Sequence, residues 1–240
     1  MQLAIADKTA EPAFFRALLE ATVYVHAPRH DRSGRLRLIQ FTTPEGLTVV
    51  PFFSDKAQAI AAAGANATVV VLPGRQLFEL ARGATFMLNP NSTRCTLYPE
   101  EVTALLDRGE VAILERVEAS ENQFRISPVG DVPAWLIGHL IPVFAALPSV
   151  AAAYAVEIGG VDTPERGLLI AVAVPNKDAE RVARATTTEL QTHAAQLQQA
   201  VDLTAFEPGE MPAWLAAAEV APFYERVLGE RLVSASVQVH

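Results

Sequence analysis

Cys95 is the only cysteine in a chain of 240 residues. Its solitude excludes an intramolecular disulfide and any zinc site built on several thiolates, and points to a reducing compartment. The first residues, Met1-Gln2-Leu3-Ala4-Ile5-Ala6-Asp7, lack the basic stretch and apolar run of a secretory leader, so the expected location is cytoplasmic. Basic charge is scarce: 19 Lys and Arg stand against 27 Asp and Glu, a net charge of −8. That is the wrong sign for wrapping nucleic acid or lying on an anionic membrane, so neither is an expected partner. Glycine-rich loops are missing too. Gly159-Gly160 has no third glycine at phosphate-loop spacing and no Gly-Lys-Ser/Thr follows, which argues against dinucleotide or nucleoside triphosphate binding.

The one long uncharged run, Val132 to Val156, could span a bilayer by length. Pro133, Pro142 and Pro148 interrupt it, however, and His139 and Ser149 sit inside it. It reads as a buried helix, a turn at Pro148-Ser149 and a buried strand. Apolar residues are otherwise plentiful at 50%, enough for two cores. Domains commonly run ~100–150 residues, so two are expected. Charge is uneven between them: residues 1–115 carry 11 basic and 12 acidic side chains, residues 116–240 carry 8 and 15.

Local pattern supplies the elements. Glu11-Pro12 opens a helix with Phe14, Phe15, Leu18 and Leu19 on one face. Thr22 to His26 reads as a strand, Pro28 to Gly34 as a loop, Leu36 to Thr42 as a second strand, and Glu45-Gly46 as the turn into a strand ending at Phe53. Ser54 caps a helix that stops at Gly64, Thr68 to Leu72 is a buried strand, and Gly74 and Gly83 bracket a helix. Ala84 to Leu88 is a strand, Asn89 to Ser92 a turn, and Pro99 opens a helix ending before Gly109. The polar stretch 116–130 is the expected linker. Residues 131–240 then read as a helix from Asp131, strands Ser149–Ile158 and Gly167–Val174 about a turn at Gly159-Gly160, a helix Lys177–Gln199, a strand Val201–Phe206, a short helix near Trp214 and a last strand from Leu232 to Val239. Pro-Ala-Trp-Leu recurs at 133–136 and 212–215 as a helix-start signal. The class expected is α+β: two small domains of mixed sheet in tandem, 1–115 and 131–240.

Several segments resemble a known family. Phe14 to Val25, Ala84-Thr85-Phe86-Met87-Leu88-Asn89-Pro90-Asn91-Ser92, and Pro99-Glu100-Glu101-Val102 with Leu105-Leu106 are similar to the N-terminal domain of the SseB, or enhanced-serine-sensitivity, proteins of bacteria. Ala152-Ala153-Tyr154, Leu168-Leu169-Ile170 and Pro222-Phe223-Tyr224-Glu225-Arg226 are similar to that family's C-terminal domain. One departure is Asn91, where the family's turn suggests glycine; asparagine tolerates the left-handed conformation. The resemblance implies a link to serine sensitivity and carries no catalytic residue.

No candidate chemistry outweighs its plainer explanation. Cys95 would need a histidine to act as a nucleophile, and His26, His30, His139, His193 and His240 fall in no helpful pattern, so it reads as a small semi-buried residue beside a turn. Glu100 and Glu101 are adjacent on a helix, about 100° apart, and suit its first turn rather than a catalytic pair. His139 has no partners at metal-ligand spacing. Two candidate binding regions are left. The loop Asn89, Asn91, Ser92 and Arg94 offers polar groups for a small ligand, although each residue type also has its own reason to occupy a turn. Arg29, Arg32, Arg35 and Arg37 could form a patch for an anionic partner, although a solvated loop guarding a strand edge is the plainer reading. No aromatic residues interleave these arginines, so nucleic acid is again not expected. The expected function is a non-catalytic protein-binding module without metal or cofactor, for which a homo-oligomer is open. The alternatives are a small-molecule sensor or enzyme of amino-acid metabolism and a secretion-associated accessory protein.

Overall fold

The computed structural model describes residues 11–30, 35–92, 94–112, 124–129, 132–160, 166–197 and 199–226. They form two compact units, the first drawn from 1–119 and 179–197, the second from 120–178 and 198–240. Each holds one mixed sheet with helices, so the class is α+β, as the alternation of patterns predicts.

In the first unit, helix α1 (Glu11–Glu20) is followed by β1 (Thr22–Pro28), β2 (Phe41–Thr42), β3 (Thr48–Phe53), α2 (Lys56–Ala62), β4 (Ala67–Pro73), α3 (Gly74–Leu80), β5 (Phe86–Leu88), β6 (Cys95–Leu97) and α4 (Pro99–Arg108). The sheet order is β4-β1-β3-β5-β6, with β2 paired to β3. β3 and β5 run parallel; the other neighbours are antiparallel. The core joins Phe15, Leu18 and Leu19 of α1, Leu77 and Phe78 of α3, and Val102 and Leu105 of α4 to Val23, Val25, Val50, Phe52, Phe86, Leu88 and Leu97 of the sheet. Phe52, Phe78 and Phe86 pack mutually edge-to-face, with centroids 5.0–6.0 Å apart, the arrangement aromatic quadrupoles favour. Gly74 brings α3 against α1: its N–H donates to Ala21 O at 2.9 Å, and a Cβ there would collide with the Leu18 carbonyl. α4 ends where expected, at Gly109 in the left-handed region (φ 74°).

Several local expectations differ, three of them in this unit. Of the strand expected over Leu36–Thr42, only Phe41–Thr42 pairs with β3. Ile39 instead donates its N–H to His26 O of β1, and residues 36–40 take no part in the β2–β3 ladder. Asp55 rather than Ser54 caps α2, because Asp55 Oδ1 accepts from Gln58 N at 2.9 Å while Ser54 is held by Asn89. α2 closes at Ala62, before Gly64.

The second unit contains β7 (Phe124–Pro128), α5 (Ala134–Ala146), β8 (Ala152–Gly160), β9 (Arg166–Ala173), β10 (Val201–Phe206), α7 (Ala213–Ala217) and β11 (Tyr224–Glu225). Between β9 and β10 runs α6 (Asn176–Thr192), whose residues from 179 on belong to the first unit. The sheet order is β10-β9-β8-β11, with β7 also on β8. β9 occupies one edge of β8 along most of its length, leaving β11 (at 152–153) and β7 (at 156–160) on the other. β9 is buried at every position after Arg166, as a central strand covered on both faces should be.

β7 lies inside the stretch expected to be a linker: Phe124, Ile126 and Pro128 alternate with polar residues, and the strand pairs with β8 over five positions. The uncharged run resolves into α5, with Pro142 inside it, and the buried start of β8. No described helix is long and apolar enough to cross a membrane. The strand expected from Leu232 to Val239 lies outside the described residues.

Arg226 closes the carboxyl end of α5. Its guanidinium donates to the carbonyls of Phe144, Leu147 and Val150 at 2.8–2.9 Å and lies over the Tyr224 ring. A cation at a helix C-terminus satisfies the carbonyls left without helical partners and opposes the helix dipole.

Candidate functional site

Residues 36–40 stay outside the β2–β3 ladder and border a groove. Leu36, Leu38 and Gln40 form one wall, Leu80 and Ala81 at the end of α3 the other, and Val50 of β3 the floor. Its volume is about 230 Å³. Leu36, Leu38 and Gln40 line the groove together, and Arg35 and Arg37, which alternate with them, are exposed and do not line it. Leu36 is 45% exposed and Leu80 56%, both far above what an apolar side chain in a closed core retains. Leu38 and Ala81 also pack against the main core, so the groove opens from the core's rim.

The basic patch is partly gathered here. Arg35 and Arg37 are exposed on the segment that supplies one groove wall, and Arg29 is exposed just after β1 with its N–H on Asn66 O. Arg32 lies outside the described residues.

The Asn89–Arg94 loop divides in two. Asn89 is 1% exposed and adopts φ 45°. Its Oδ1 accepts from Ser54 N and its Nδ2 donates to Ser54 Oγ, both at 3.0 Å, while its own N–H donates to Phe52 O. Asn89 therefore supplies the left-handed turn that the resemblance placed at Asn91, and spends its amide on clipping β5 to the end of β3. Asn91, Ser92 and Arg94 are exposed on the turn. Arg94 adds to the lowering of the Glu45 carboxyl, after the larger contributions of hydrogen bonds from Thr43 and the Glu45 backbone.

The carboxylates at the start of α4 go to separate partners. Glu100 takes Arg181 at 2.8 Å. Glu101 has no exposed surface, accepts from Tyr98 N at 2.9 Å and pairs with Arg184 at 2.8 Å. Both arginines lie on the part of α6 that belongs to the first unit. Burial raises the Glu101 pKa, against the lowering effect of Arg184 and the Tyr98 N–H. Burial pulls Arg184 down, but Glu101 and Glu180 outweigh it and hold its pKa above the usual arginine value. The Tyr98 hydroxyl is pushed up to about 12, chiefly by burial and then by Glu180. This cluster is internal bonding: every charge named has its counter-charge in place.

Cys95 is half-buried in β6, its thiol 3.9 Å from Thr96 O. His26 is a core histidine: Nε2 donates to Ala59 O at 2.8 Å and the ring lies 5.1 Å from Phe53. His139 is half-buried with its ring edge-to-face against Trp135.

Comparison with known proteins agrees with this architecture. Residues 1–104 match the SseB protein N-terminal domain and residues 119–226 the SseB protein C-terminal domain. The chain belongs to the SseB family. It is 27% identical over 237 residues to Protein SseB of Escherichia coli (strain K12), covering 95% of this chain and 91% of the relative, and equally similar to Protein SseB of Shigella flexneri. No solved structure matches. The family motifs quoted above can now be placed: Asn89 makes the β5–β6 turn, Glu101 closes the first turn of α4, and Arg226 caps α5. Each of the three makes hydrogen bonds within the fold. The groove was missed from sequence because Leu36 and Leu38 alternate with arginines as a half-buried strand would; nothing local shows that the segment forgoes its hairpin partner.

Proposed function

We propose that this SseB-family protein is a non-catalytic interaction module, whose groove between Leu36–Gln40 and Leu80–Ala81 seats apolar side chains of an acidic protein segment. The observation that carries this is the pair of half-exposed leucines on opposite walls of one groove. Apolar side chains brought together across a surface groove offer the kind of anchor points that a partner's apolar side chains can fill. The segment from Arg29 to Arg37 carries four arginines against Asp31 alone, a balance that favours acidic flanks on the partner by steering. The volume favours side-chain anchors over a metabolite: about 230 Å³ falls below the ~300–1,000 Å³ usual for small-molecule sites. The serine-sensitivity link that the family carries would then act through a protein partner.

A fluorescent peptide with a leucine pair flanked by glutamates tests the reading by anisotropy. Binding should weaken with salt, fall at least tenfold for Leu36→Asp or Leu80→Asp, and fall less for Arg35→Glu with Arg37→Glu. Equal binding by all variants, or turnover of a metabolite by the purified chain, would overturn it. A rise in melting temperature with a serine-pathway metabolite, abolished by Asn91→Ala with Arg94→Ala, would move the site to the β5–β6 turn and make the protein a sensor.

A further inference from the structure

The first sheet ends on an unusual edge. β4 pairs with β1 without interruption over seven positions, from Thr22↔Pro73 to Pro28↔Ala67. It is the last strand of the sheet, and no described strand takes its other side. Proteins usually protect such an edge with a lysine, an internal proline, a bulge or a covering loop. β4, Ala67-Thr68-Val69-Val70-Val71-Leu72-Pro73, contains no charge and no bulge, and its one proline is its last residue. Six of its seven residues keep exposed surface, with Val71 at 52%. Val70 and Leu72 pack against the core, so the pleat sends Val69 and Val71 to the opposite face. There they stand beside His26 and Tyr24, their register partners in β1.

We propose that β4 is a self-association edge: two copies of the chain pair antiparallel through β4 about a two-fold axis, making one continuous sheet across the dimer. The occupant follows from the strand's own composition. A two-fold pairing centred on Val70 sets Val69 against Val71, Thr68 against Leu72 and Ala67 against Pro73. β-branched residues meet, a favourable cross-strand combination, and no like charges face each other. Just beyond the strand, Asn66 meets Gly74 and Ala65 meets Arg75, so the ends add no repulsion either. A charged foreign strand would find no counter-charge along β4, whereas a second copy sets valine against valine at the centre and no charge against another. A seven-residue edge buries less than the roughly 1,200 Å² of a stable interface, so the dimer is weak and depends on concentration. This surface is separate from the groove, and each can fail without the other.

Sedimentation equilibrium of the full chain, from low to several hundred micromolar, tests the proposal. The wild type should show a reversible monomer–dimer equilibrium. Val71→Lys, which places two ammonium groups near the axis on a face already open to water, should weaken the dimer at least tenfold with an unchanged circular dichroism spectrum. Thr68→Lys, at another exposed position, should do the same and serves if the first variant misfolds. Leu80→Asp should leave dimerisation unchanged. A wild type that is monomeric throughout, or a dimer that survives both lysine variants, would overturn the assignment.

Discussion

Asn89 shows how much a single side chain can settle. Its backbone sits at φ 45° and its amide both accepts from and donates to Ser54, 35 residues away. Alanine would lose the amide bonds and meet the steric cost of the left-handed region, so Asn89→Ala should destabilise the first unit by about 2–3 kcal/mol. Glycine keeps the backbone freedom, and Asn89→Gly should cost less than alanine; equal losses in urea titrations followed by circular dichroism would contradict the backbone part of the argument. Glu101 offers a pH test. Its folded pKa is raised above 4.5 by burial, so as pH climbs from that value the unfolded chain releases the proton first. Stability should therefore fall with rising pH in the window just above 4.5, and Glu101→Gln should flatten that fall. Tyr98 acts with the same sign at the alkaline end: raised from 10 to about 12, it should withdraw stability across that interval, and Tyr98→Phe should remove the effect.

Among the elements, two glycines in helices have opposite roles. Gly74 begins α3 where a Cβ would strike the Leu18 carbonyl of α1, while Gly138 inside α5 has open space around the same position. Gly74→Ala should force α1 and α3 apart and cost more than about 2 kcal/mol. Gly138→Ala should instead stabilise α5 by about 0.5–1 kcal/mol through the unfolded state. Both tryptophans, Trp135 and Trp214, lie in the second unit, so tryptophan fluorescence reads the second variant and circular dichroism the first. Element identity was largely legible in the sequence. α4 carries Pro99, an acidic first turn and Gly109, and its limits match the expectation because all three signals are local. β10 likewise spans Val201–Phe206 as expected. β2 was overestimated because pattern cannot tell an alternating strand from an alternating segment that pairs with nothing. β7 was missed because a short strand on a polar stretch is made by its neighbour β8.

For the molecule as a whole, the notable fact is where α6 belongs. It lies in sequence between two strands of the second sheet, yet Arg181 and Arg184 pair with Glu100 and Glu101, 81 and 83 residues earlier. Residues 1–119 alone would keep the buried Glu101 and lose its guanidinium. That fragment should be less stable than the first unit in the full chain by about 3–5 kcal/mol, the cost of stranding one member of a buried pair. Glu101→Gln should then recover more stability in the fragment than in the full chain, and hydrogen exchange of the α4 amides would measure both. Equal protection in fragment and full chain would show that α6 contributes nothing there.

Local signals along the chain were enough for the α+β class, most helices and strands, the family, and a charge balance adverse to nucleic acid, because periodicity, caps and composition act over a few residues. The assembled fold set which carboxylate meets which guanidinium, that Asn89 turns inward while Asn91 stays out, and that Leu36 and Leu80 face each other across a groove. These depend on contacts between residues tens of positions apart, whose distances are set only when the sheets are assembled.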